Sequence, residues 1–91
     1  MAFDINSFKA ITQYGQDTPD LFIYSSADAL SVIRTAGYFN DRSVNLKVND
    51  IILVVSSTGG TPVHSFNVVN SNTGGVVDVT DGLVITATDT D

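Results

Sequence analysis

At 91 residues the chain is one domain with a modest core, since a chain of this size buries about 60–65% of its unfolded surface. Its formal net charge is −6, with only Lys9, Arg34, Arg42 and Lys47 basic and scattered, so the electrostatic footprint of a nucleic-acid or anionic-membrane binder is missing. It has no cysteine, which excludes a disulfide framework, a thiolate zinc site and a thiol nucleophile. All ten acidic residues are Asp, a residue of turns, caps and strand ends, which favours strands over helices. The N-terminal residues lack the basic and apolar regions of a signal peptide, and no apolar run approaches the ~20 residues of a membrane span.

Residues 1–19 form an N-terminal arm in this reading. Phe3, Ile5, Phe8, Ile11 and Tyr14 are spread among polar residues without strand alternation, and Gly15 to Pro19 breaks whatever precedes it. Two readings of the arm stand side by side: an extended segment padding the edge of its own domain, or a reach onto a neighbouring subunit. In the second, Phe3, Phe8 and Tyr14 are the candidate protein-interface residues, because aromatic side chains are enriched at interface cores.

Residues 20–88 are the β-rich domain. Leu21-Phe22-Ile23-Tyr24 reads as a strand. Ser25 then reads as a helix N-cap with Asp28 at N3, opening an apolar stripe through Ala27, Leu30, Ile33 and Ala36. Gly37 closes that helix over 26–36 in a left-handed conformation, with Arg34 in the last turn. Ile51 to Val55 is an unbroken, mostly β-branched run bounded by turn residues, hence a strand. Gly59-Gly60 supplies the positive φ of a tight reversal. In the return strand His64, Phe66 and Val68 face one way, Ser65 and Asn67 the other. Residues 70–75 are a turn, Val76 to Val79 a strand, Thr80-Asp81-Gly82 a turn and Leu83 to Ala87 the last strand. Residues 89–91 are an acidic tail. The predicted fold is mainly β: a small antiparallel barrel or sandwich of five to six strands with one short α-helix.

Catalytic signals are missing. His64 is the single histidine and has no partner at metal-ligand spacing. There is no G-x-S-x-G elbow, and Asp17 with Asp20, or Asp89 with Asp91, lacks the pattern of a calcium loop. The glycine pairs do not open helices, so they are not phosphate-cradling loops. The expectation is a protein without catalytic, metal or cofactor-binding residues and without a small-molecule substrate.

Three stretches carry a resemblance: Ala36-Gly37-Tyr38-Phe39-Asn40-Asp41, Leu46-Lys47-Val48-Asn49-Asp50-Ile51-Ile52 and Gly75-Val76-Val77-Asp78-Val79. Together they resemble the short β-rich virion proteins of tailed bacteriophages that act as capsid decoration or cement proteins. The resemblance spans about residues 20–88, with Asn49 where such proteins commonly carry glycine; Asn also tolerates the left-handed conformation. It implies a homotrimer bound to the major capsid protein on the outer surface of the head, made in the host cytoplasm, with no nucleic acid or membrane as partner. The alternatives are another virion component, such as a head fibre or tail-associated protein, and a small non-catalytic binding module.

Overall fold

The computed structural model describes residue 3, residues 5–11 and residues 18–86. After a 3₁₀ turn at Ile5–Ser7 come β1 (Phe8–Ala10), β2 (Leu21–Ser25), a single helical turn α1 (Leu30–Ile33) and a second 3₁₀ turn at Asn40–Arg42. Then follow β3 (Ile51–Ser56), β4 (Val63–Thr73), β5 (Val76–Val79) and β6 (Leu83–Val84). The six strands make one sheet in the order β1-β2-β3-β4-β5, with β6 also paired to β4. The mainly-β fold with one short helix is as the sequence predicts.

The sheet is mixed rather than wholly antiparallel, because β2 and β3 run parallel with Leu21 opposite Ile51 and Tyr24 opposite Val54. It does not close on itself. Parallel neighbours need a crossover, and residues 26–50 supply it, covering one face of the sheet. The core lies between that crossover and the sheet. Phe22, Tyr24, Ile52 and Val54 point into it from the strands, and Ile33, Phe39 and Leu46 from the crossover. In β4 the register shifts between Val69 and Ser71. A bulge of this kind bends and twists a strand, and β5, paired to β4 on both sides of it, contributes the buried Val77 and Val79.

A buried carboxylate joins the starts of the two parallel strands. Asp50, fully buried, accepts from the backbone N–H of Asp20 (3.0 Å) through Oδ1 and from that of Lys47 (2.8 Å) through Oδ2. The Lys47 ammonium donates to Asp20 Oδ2 at 2.9 Å and lies 3.4 Å from Asp50 Oδ1. Asp20 in turn accepts from the Ile51 N–H through its carbonyl. Just ahead, Asn49 has φ +80°, the left-handed conformation for which Asn is suited.

Two local expectations are corrected. The helix is one turn, not 26–36. Ser25 belongs to β2, and no helix starts at residue 26 because the backbone of Ser26 and Asp28 is engaged by the end of β3 and the residues after it: Ser26 N–H donates to Val55, and Ser57 and Thr58 donate to Asp28 and Ser26. Gly37 does take φ +93°, but it ends a run of short turns. Its N–H donates to the Val77 carbonyl (2.8 Å), while the Val77 N–H donates to Asn40 Oδ1 (2.9 Å). In the β3–β4 connection the positive φ falls on Ser57 (+56°), not on Gly59 or Gly60.

β4 alternates as the sequence predicts, and it is the polar side that points inward: Ser65 and Asn67 are fully buried, while His64 and Phe66 are exposed. Ser65 Oγ donates to Asn67 Oδ1 (2.7 Å), and Asn67 Nδ2 donates to the Thr80 carbonyl (2.9 Å). These bonds hold the turn that returns β6 to β4. Gly82, at φ +92°, crosses directly over Asn67, where a Cβ would lie 2.5 Å from Nδ2. The inward polar pair is thus satisfied by the turn it anchors.

Candidate functional site

The proposed interface aromatics occupy different settings. Phe8 is buried and belongs to the core. Phe3 is partly buried and stacks on Tyr24 with ring centroids 5.1 Å apart, while meeting Phe39 edge-on at 5.5 Å. Tyr14 lies outside the described residues. The arm boundary at residue 19 falls within one sheet, since β1 pairs antiparallel with β2, Phe8 opposite Tyr24. Phe3 and Phe8 thus complete an aromatic cluster with Tyr24, Tyr38 and Phe39. Aromatic rings in such edge-to-face and offset contacts gain beyond simple area burial.

The polar groups around this cluster are occupied structurally. Tyr38 Oη donates to Asp28 Oδ2 at 2.7 Å and shares a 2.8 Å hydrogen bond with Tyr24 Oη. Burial first, then the neighbouring Tyr24 hydroxyl and Asp28 carboxylate, hold the Tyr38 phenol well above its ordinary pKa. The Lys47 ammonium is held above the usual lysine value, chiefly by its bond to Asp20. Among the described residues no group of three or more His, Asp or Glu side chains is placed to hold a metal ion. No helix among them is long and apolar enough to cross a membrane. His64 is exposed on β4 opposite Val55, with no acidic partner in that row.

The structure's most distinctive surface is the second face of its sheet, which the crossover leaves uncovered. Strand register sorts the outward residues into three rows. The first is Leu21, Ile51 and Val68. The second runs from Lys9 through Ile23, Leu53 and Phe66 to Leu83. The third holds Ser25, Val55 and His64, extended by Ile85, whose N–H donates to the His64 carbonyl. Leu21, Ile23, Ile51, Leu53, Val55 and Val68 are half-buried by their neighbours alone, and Leu83 is 71% exposed. A groove of about 390 Å³ opens at the first row, lined by Pro19, Asp20, Leu21, Ile51, Phe66 and Val68. None of the three rows contains an acidic residue, and Asp20 at the groove is buried against Lys47.

Sequence reasoning missed this face, although a signal was present. Leu21-Phe22-Ile23-Tyr24 and Ile51 to Val55 are apolar at every position rather than every second one. Continuous apolar runs in parallel strands belong to sheets covered on both faces. Here one face is covered by the crossover, and the described residues leave the other open. In comparisons with known proteins the chain matches no family model, no curated protein and no solved structure.

Proposed function

We propose that this is a non-catalytic structural protein whose work is assembly with other protein surfaces. The observation that carries the proposal is the open apolar face of a parallel strand pair, a face that strands of this composition normally bury. The protein's polar clusters support the same reading. Asp50 with Asp20 and Lys47, and Asp28 with Tyr24 and Tyr38, are committed to holding the fold.

The narrower reading is a capsid decoration protein of a tailed bacteriophage, bound to the major capsid protein on the outside of the head. It rests on the resemblance at residues 36–41, 46–52 and 75–79. In this fold those stretches act as clamps: Gly37 and Asn40 grip Val77 from both sides, and Asn49 and Asp50 set the start of β3. Co-sedimentation with heads stripped of accessory proteins tests it. Saturable binding to the heads is the expected result; protein left wholly in the supernatant, or found on tails, overturns the decoration reading. A second reading, a small peptide-binding module, is favoured by the groove between Leu21, Ile51, Phe66 and Val68, which has room for one large apolar side chain.

A further inference from the structure

We infer that the outer edge of β6 takes an added strand: an extended segment of another protein, rich in β-branched residues and free of carboxylates, pairs backbone to backbone with Val84. The inference rests on the assembly reading above and names the chemistry of one partner.

Register fixes which way the backbone of β6 faces. Leu83 lies opposite Phe66 and Val84 opposite Ser65, and the Ile85 N–H donates to the His64 carbonyl at 2.8 Å. In an antiparallel pair, hydrogen-bonded and non-bonded positions alternate. Leu83 and Ile85 therefore turn their backbone groups towards β4, and Val84 turns its N–H and carbonyl outward. The other side of β4 agrees. Val69 N–H donates to the Asp50 carbonyl, and counting back in twos, Asn67 and Ser65 face β3 rather than β6. Val84 is 51% exposed, between Leu83 at 71% and Ile85 at 42%, and none of the described residues pairs with its backbone.

Elsewhere the margin of the sheet is guarded. On β5 the outward residue is Val77, and the crossover occupies both its groups: Gly37 N–H donates to its carbonyl, and its own N–H donates to Asn40 Oδ1. At the far edge β1 carries Lys9, and a lysine on an edge strand hinders strand addition. Leu83 to Thr86 contains neither a charge nor a proline. Among the described residues, shortness is the one guard β6 has. An outward N–H and carbonyl on one residue are matched together, at sheet spacing, by another strand. In that mode of recognition main-chain bonds supply affinity and alternate side chains supply specificity.

The surrounding side chains define the partner. Leu83 and Ile85 stand on the open face with Phe66 and His64, so every second side chain of the added strand meets apolar neighbours there. The Asp81 side chain, 88% exposed, stands at the entry to β6, and the whole chain carries −6; carboxylates on an incoming strand are repelled. The same charge disfavours a second copy, which would bring another −6 to an overlap of one short strand.

Amide NMR, with a peptide of alternating lysine and valine as the probe, tests the inference. In the protein alone the Val84 N–H should exchange freely with solvent while those of Leu83 and Ile85 are protected. On adding the peptide, the Val84 amide should shift and its exchange should slow. The same peptide N-methylated throughout keeps its charge but cannot pair, and should not bind. Val84→Pro removes only an outward N–H, which an edge strand tolerates. It should keep the parent circular dichroism and weaken peptide binding at least about tenfold. A Val84 N–H already protected in the protein alone would overturn the inference, whether or not the variant folds. So would no binding at millimolar peptide, shifts confined to Leu21, Ile51, Phe66 and Val68, equal binding of the N-methylated peptide, a folded Val84→Pro protein that binds like the parent, or a homodimer formed through Val84. Stripped heads separate the inference from the decoration reading. A protein that takes the peptide at Val84 and ignores the heads leaves the inference standing and removes that reading; one that binds the heads and not the peptide does the reverse.

Discussion

Tyr38 shows how a single side chain is bound into the fold. Its ring lies edge-on to Tyr24 and Phe39, with centroids 5.9 and 5.2 Å away, and its hydroxyl donates to Asp28. Burial, Tyr24 and Asp28 all raise its pKa, so the folded protein keeps a proton that the unfolded chain gives up above about pH 10. Lys47 behaves likewise, because Asp20 favours its charged form. In both cases the folded state binds the proton more tightly. Their stabilisation is complete below the ordinary tyrosine and lysine range and is lost as pH rises through and beyond it. The melting temperature should therefore fall on the alkaline side of about pH 10, and Tyr38→Phe should make that fall shallower. A parent protein with a flat profile from pH 8 to 11 would show that neither proton is linked to folding.

Among the elements, the crossover between β2 and β3 departs furthest from a helix-based picture. One turn, α1, is all that survives, because the backbone of Ser26 and Asp28 is already bonded to Val55, Ser57 and Thr58. What fixes the crossover on the sheet is the pair of bonds from Gly37 and Asn40 to Val77, with Asn72 Nδ2 donating to the Ser43 and Leu46 carbonyls further along. Gly37 must hold φ +93° for its N–H to reach Val77. A β-branched side chain is strained there, and Gly37→Val should lower stability by about 1–3 kcal/mol. Chemical denaturation measures the cost, and an unchanged midpoint would mean that the crossover can dock without this turn.

At the scale of the whole molecule, the N-terminal segment and the open face have opposite characters. β1 extends the sheet, Phe8 is a core residue and Phe3 closes the aromatic cluster from its partly exposed side. Deleting residues 1–11 removes both rings and bares Tyr24 and Phe39. Each lost phenylalanine core contact costs about 3–5 kcal/mol where the site cannot collapse, against a total of about 5–15 kcal/mol for a typical domain. The truncated chain should therefore lose its cooperative melting transition, followed by near-ultraviolet circular dichroism. A truncated protein that melts like the parent would show that the segment is dispensable to the core. The open face, by contrast, contributes nothing to the inner core, which is why Leu83 can be changed without touching the fold.

Composition and local pattern were sufficient for the class of this protein. Short β-branched runs between turn residues, Asp without Glu and no cysteine lead to a mainly β domain, and strands at Leu21, Ile51, Val63 and Val76 follow. Left-handed backbone at Gly37 and Asn49 was legible too, because it depends on residues close in sequence. Three things were not. The parallel pairing of β2 with β3 depends on Asp50 meeting Asp20 from thirty residues away. The inward turn of Ser65 and Asn67 depends on Thr80 and Gly82 being there to satisfy and cover them. The open apolar face depends on which side the crossover passes, and strands apolar at every position carry no preference between their two sides. Local backbone preference is written residue by residue. The choice of face is made by hydrogen-bonding groups that become neighbours only when the chain has folded.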